Sequence, residues 1–152
     1  MKTVALELQQ IVITFTEKIE QIQDHDFSAK PLPHKWSKKE ILGHLADSAQ
    51  NNLRRFICGQ YESAPPRITY DQNAWVSLNQ YQAAKKEDVI TLWKLLNERI
   101  SAVLLSMPQE NYGRTCVNDS AEYFTLEWLA IDYVKHLKHH LNQIIPGSFD
   151  VV

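Results

Sequence analysis

Four stretches of this chain repeat apolar residues at the spacing of one helix face, and that repetition constrains the fold more than any other feature. Residues 4–22 carry Leu8, Ile11, Val12, Phe15, Ile19 and Ile22, the i, i+3, i+4, i+7 stripe of an amphipathic helix. A second helix is predicted to start at Ser37, because Ser37-Lys38-Lys39-Glu40 is a capping box and Trp36 before it can staple onto Ile41 after it. Its apolar residues Leu42, Leu45, Ala49, Leu53 and Phe56 lead to Gly59, which is expected to take the left-handed conformation that closes helices. The third stripe, Val89, Leu92, Trp93, Leu96, Ile100, Val103, Leu104 and Met107, stops at Pro108, where a helix can no longer donate its backbone bond. The fourth runs from Thr125, as N-cap, to Ile145, with Phe124 and Leu129 as a staple and Pro146-Gly147 as terminator. Together they predict an all-α chain folded as a four-helix bundle, with a long connection between helices two and three.

That connection is about 25 residues long and holds Pro65-Pro66 and Tyr70-Asp71-Gln72-Asn73-Ala74-Trp75. Its length argues for a crossover or a functional lid, with a short helix over Asn73–Gln80. The turn residues Asn118-Asp119 within 114–124 suggest a small extended hairpin. At 152 residues the chain suits one ordinary core, so residues 1–152 are expected to form a single domain.

Charge excludes one class of partner. With 16 Lys and Arg against 18 Asp and Glu the net charge is −2, and Lys38-Lys39, Arg54-Arg55 and Lys85-Lys86 are scattered pairs without a continuous stripe, so no nucleic-acid partner is expected. No apolar run is long enough to cross a membrane, and Glu7, Gln9 and Gln10 interrupt what a signal peptide would need. A cytoplasmic location is expected. The two cysteines, Cys58 and Cys116, lack the spacing of a thiol metal site and have no basic partner placed near them by spacing. Both read as small apolar residues.

The histidines are more informative. On helix two, His44 shares a face with Glu40, Ile41, Asp47, Ser48, Asn51 and Arg55, roughly 150° from the apolar stripe at about 100° per residue. That polar face meets either solvent or a wet cavity between helices. On helix four, His136 and His140 border the core direction set by Tyr133, Val134, Leu137, Leu141 and Ile144, while His139 points further away with Asp132 and Gln143. An i, i+4 pair puts two imidazoles on one face about 6 Å apart at Cβ, from which they can share one metal ion. The same pair is also common on solvated faces, and spacing alone leaves both readings open. Two ligands do not close a transition-metal site, and His44 is the best candidate for a third because a bundle sets facing helices side by side. His25 and His34 lie in the polar connection Asp24–Lys35 and read as surface residues. The segment His136-Leu137-Lys138-His139-His140 lacks the glutamate of the zincin motif, which argues against a protease.

Taken in order, Trp36-Ser37-Lys38-Lys39-Glu40-Ile41-Leu42-Gly43-His44-Leu45-Ala46-Asp47, then Tyr70-Asp71-Gln72-Asn73-Ala74-Trp75, then Thr125-Leu126-Glu127-Trp128 with Tyr133-Val134, His136 and His140, resemble the DinB-like, YfiT-related superfamily of metal-dependent hydrolases. The resemblance covers nearly the whole chain. It implies a four-helix bundle holding a divalent metal, commonly nickel or zinc, on three histidines, which by position are His44, His136 and His140. It also implies a homodimer, and chemistry ranging from hydrolysis to transfer of a low-molecular-weight thiol, including mycothiol-dependent isomerisation.

Two readings of function follow. In the first, the chain is an enzyme whose ion activates water or a small thiol for attack on a small-molecule substrate. Asp47 would then orient the nucleophile or accept its proton, Asn51 would hydrogen-bond the substrate, and Tyr70, Trp75 and Trp128 would wall the pocket. Against these stand a solvated helix face for Asp47 and Asn51, and plain core packing for the three aromatics. In the second, the bundle is a non-catalytic module that binds a small ligand or a partner helix.

Overall fold

A computed structural model describes residues 1–150 of the chain. The described residues form six α-helices: α1 (Lys2–Glu20), α2 (Asp24–Ser28), α3 (Lys38–Tyr61), α4 (Gln72–Leu78), α5 (Lys86–Ser106) and α6 (Leu126–Ile144). The strands β1 (Thr115–Val117) and β2 (Tyr123–Thr125) pair antiparallel, with Cys116 opposite Phe124. The four long helices α1, α3, α5 and α6 are the expected bundle, and the hairpin lies where the Asn118-Asp119 turn predicts it. One apolar cluster runs through all four, with Leu8, Ile19, Leu42, Leu45, Phe56, Trp93, Ile100, Leu104, Leu126, Leu137 and Leu141 fully buried in it.

The helix starts are fixed by side chains. Ser37 Oγ accepts from the Glu40 amide at 3.1 Å and the Glu40 carboxylate accepts from the Ser37 amide at 2.9 Å, the reciprocal capping box that sets the origin of α3. Thr125 Oγ1 likewise accepts from the Trp128 amide at 3.1 Å and starts α6. The ends differ more from expectation. Helix α1 stops at Glu20, two residues short of the predicted end, and the short α2 follows it, seating Phe27 in the core. Gly59 does not close α3, which continues to Tyr61. Its place in the helix has a packing reason: a Cβ there would lie 2.6 Å from Leu126 Cδ2, so glycine lets α6 approach α3. Phe124, expected to staple onto Leu129, also stacks on Trp128, with centroids 4.5 Å apart.

Helix α3 occupies the middle of the molecule. It packs along α5 on one side and α6 on the other, while α1 packs along α5 and makes a smaller contact with α6. The α3–α6 pair is antiparallel, because His44 near the start of α3 meets His136 and His140 near the end of α6, and Gly59 near the end of α3 meets Leu126 at the start of α6. The long connection crosses the polar face of α3. Arg55 donates from Nε and Nη2 to the Ile68 carbonyl oxygen at 3.0 and 2.6 Å, and Lys39 Nζ donates to the Ala84 carbonyl oxygen at 2.8 Å. Between those two ties the connection contains α4 at 72–78, close to the predicted Asn73–Gln80, and a 3-10 turn at Tyr81–Ala83.

Candidate metal centre

Burial decides between the two environments that the sequence leaves open for the polar face of α3. His44 is 1% exposed, Asp47 0%, Ser48 3% and Asn51 6%. The connection and α6 cover this face, so α3 is buried on its polar side as well as on its apolar one. The polar side chains there find local partners: Asn51 Nδ2 donates back to the Asp47 carbonyl oxygen and Asn52 Nδ2 to that of Ser48, both at 2.9 Å.

The same covering brings three imidazoles together. His44 on α3 and His136 and His140 on α6 each offer a ring nitrogen, and these nitrogens all lie within 4.8 Å of one another. The rings meet edge to face, with centroids 5.2 Å apart for His44–His136, 4.7 Å for His44–His140 and 4.5 Å for His136–His140. His44 Nε2 and His136 Nε2 are 3.3 Å apart. Two nitrogens at about 2.0–2.1 Å from a tetrahedral zinc ion would be separated by about 3.3 Å, so this pair matches the donor spacing of such an ion without rearrangement. Trp36, one residue before the cap of α3, lies at 5.1 Å from the His44 ring and walls its other side.

Electrostatics favour neutral donors. Burial, followed by the charges that His140 and His136 would carry, lowers the His44 pKa to about 3. Burial and the neighbouring His140 and His139 lower that of His136 to about 4, and burial also lowers that of His140 against the hydrogen bond it donates to Gln143, which raises it. At neutral pH all three rings therefore keep a lone pair free for a Lewis acid, the state in which histidine binds metals. His139 is exposed and outside this set, as its helix position predicts.

One turn along α3, Asp47 is fully buried with its two oxygens in different situations. Oδ1 accepts from the Tyr81 hydroxyl at 2.6 Å and from Asn79 Nδ2 at 3.0 Å, whereas Oδ2 has no partner among the described residues. Burial, against the Tyr81 hydrogen bond, raises its pKa to about 6. His44 Nδ1 is the other buried polar atom of this face left without a partner.

The remaining residues singled out from sequence divide. Tyr70 and Trp75 pack edge to face on the connection, centroids 5.4 Å apart, both half-buried. Burial raises the Tyr70 pKa, against the opposing influence of Ser48 and Arg55 of α3. Trp128 is 46% exposed and stacks on Phe124, so it is not part of the core. His25 and His34 are exposed, as expected. Cys58 and Cys116 are buried free thiols, and burial pushes Cys116 up to about 11 even though Arg55 lies beside it, which keeps it an unreactive thiol. Sequence reasoning missed Trp36, Asn79, Tyr81 and Gln143. Gln143 stands three residues after His140, a spacing that signals contact on one helix face, but Asn79 and Tyr81 reach Asp47 only through the path of the connection.

Known proteins share this fold. A sequence model described as the DinB superfamily matches residues 13–144. YfiT of Bacillus subtilis, provisionally named a metal-dependent hydrolase, is 27% identical over 142 residues, covering 93% of this chain and 80% of its own length. The solved structure of that protein, described as a four-helix bundle of unusual topology, superposes with a TM-score of 0.83 at 26% identity over 94% of this chain and 83% of the other. A mycothiol-dependent maleylpyruvate isomerase shares the fold at a TM-score of 0.71 and 10% identity, over 93% of this chain and 60% of the isomerase.

Proposed function

Because the chain belongs to the DinB superfamily, we propose that it is a metal-dependent enzyme, a hydrolase or a small-thiol transferase, in which His44, His136 and His140 hold one divalent transition ion, nickel or zinc. The observation that carries this reading is the convergence of three neutral imidazoles from two helices, with ring nitrogens inside 4.8 Å of one another. The relatives named as metal-dependent hydrolases support it. When bound, such an ion supplies Lewis acidity, which makes water or a small thiol a better nucleophile at neutral pH.

The chain's own residues divide the rest of the work. Asp47 accepts the proton of the nucleophile at Oδ2, since Tyr81 and Asn79 fix Oδ1 and leave Oδ2 free. A pKa of about 6 leaves most of this carboxylate ionised near pH 7 and still basic enough to take a proton. Tyr70 and Trp75 form the wall that limits water, and Asn51 presents its amide on the same face. The substrate in this reading is a small molecule. A low-molecular-weight thiol as one reactant is supported by the thiol-dependent isomerase that shares the fold, and the family resemblance adds a homodimer.

The competing reading, a bundle that only binds, accounts poorly for Asp47. A fully buried carboxylate with one unpaired oxygen costs stability, and strained pKa values of this kind gather where chemistry is done. Metal content by mass spectrometry on protein purified without an affinity tag tests the proposal, comparing wild type with His136→Ala and His140→Ala. About one ion per chain is expected in the wild type and none in either variant. A wild-type protein that neither holds nor takes up an ion overturns the enzyme reading.

A further inference from the structure

Of the three clustered imidazoles, His140 has a side-chain partner at Nδ1, whereas His44 Nδ1 has none among the described residues. His140 Nδ1 lies 2.8 Å from Gln143 Oε1, and the amide nitrogen of the same Gln143 lies 3.3 Å from His139 Nε2. An amide oxygen only accepts, so His140 must carry its proton on Nδ1 in this arrangement. The lone pair then stands on Nε2, on the side of the ring turned away from Gln143.

We propose that Gln143 is a positioning residue that selects the metal-binding tautomer and ring orientation of His140; this rests on the three-histidine reading above. His140 needs such a device more than its neighbours do. His44 is wedged at 1% exposure between Trp36 and the two α6 rings. His140 lies only one turn from the end of α6 at Ile144, next to the exposed His139, where backbone order alone restrains a ring least. Without an acceptor at Nδ1 the neutral ring can place its proton on Nε2, which removes the lone pair, or rotate about Cβ–Cγ, which puts a carbon in its place. His139 complements this orientation when it carries its own proton on Nδ1. With His139 Nε2 accepting from the Gln143 amide nitrogen, the oxygen is left for His140; the reversed amide would present its NH2 to His140 Nδ1 and force the unproductive tautomer. Outer partners of metal-bound histidines are commonly worth about 10–100-fold in affinity.

The test is zinc affinity of the full chain by competition with a chromophoric chelator, for wild type, Gln143→Leu, Gln143→Glu and His44→Ala. Gln143 is exposed, so neither substitution at this position disturbs the core, and thermal unfolding of the metal-free variants checks that they fold as the wild type does. Gln143→Leu is expected to bind zinc about tenfold more weakly or worse, while Gln143→Glu, which keeps an acceptor at the same reach, retains wild-type affinity or exceeds it. Equal affinity in Gln143→Leu and wild type overturns the role of Gln143 and leaves the three-histidine site standing. Undetectable binding in the wild type, or wild-type affinity in His44→Ala, overturns the three-histidine reading itself.

Discussion

At the scale of single residues, the polar face of α3 sets two titrating groups against each other. His44 and His136 stay neutral in the folded metal-free protein down to about pH 3 and 4 respectively. The unfolded chain protonates them near 6.5, so the stability they permit is complete above that pH and is lost as pH falls. Asp47 runs the other way. Its folded pKa of about 6 exceeds the ordinary 3.8, so the folded state takes up that proton first and gains stability as pH falls from 6 toward 4, by about 3 kcal/mol for a group this buried. Asp47→Asn removes the opposing gain. Urea unfolding of the metal-free proteins from pH 7 to 4 is therefore expected to show a steeper acid loss in Asp47→Asn than in wild type, and the variant is expected to lose catalysis. Parallel curves would mean that Asp47 titrates as an ordinary carboxylate. Helical facing made His44 the best candidate to join His136 and His140, while leaving open whether its face met solvent or a cavity between helices. The partners of Asp47 were not, because Asn79 and Tyr81 come from a segment whose path no local pattern encodes.

At the scale of elements, the legible parts are those whose cause is local. The capping box at Ser37, the cap at Thr125 and the stop at Pro108 each act within one turn, and α3, α6 and α5 start or end close to them. What local rules misread is where tertiary packing overrides them. Gly59 looks like a terminator and is a contact point for Leu126. Gly43 gives the sharper case, since a Cβ there would lie 2.3 Å from two ring atoms of Tyr81. Alanine is the better helix former by about 1 kcal/mol, yet Gly43→Ala must displace the ring that holds Asp47. The variant is expected to be less stable by about 1–3 kcal/mol in urea unfolding, as overpacked cores are. A variant more stable than wild type would show that Tyr81 moves aside freely. Helix α3 also explains why periodicity could not settle the surroundings of His44: a helix covered on both faces keeps an amphipathic sequence when one of its burials is polar.

At the scale of the whole molecule, the proposed ligands come from two antiparallel helices, so an ion would cross-link α3 to α6. Zinc at about a hundred times its dissociation constant should add about 2.7 kcal/mol to the folded state. For a domain of this size that raises Tm by roughly 5–10 °C, measured by calorimetry against the metal-free protein, and His44→Ala should abolish the rise. An equal rise in that variant would place the ion elsewhere. The connection over the polar face has a consequence of another kind. Two of its ties grip main-chain oxygens, from Arg55 to Ile68 and from Lys39 to Ala84, and a third joins the Val117 amide to the Pro66 oxygen. A carbonyl oxygen is the same whatever residue bears it. Tyr70 and Trp75 sit between these fixed points, so selection can exchange the side chains laid over the polar face of α3 while the strap keeps its course. Such a scaffold separates the inheritance of its shape from that of its specificity, which equips one bundle to diversify across many reactants.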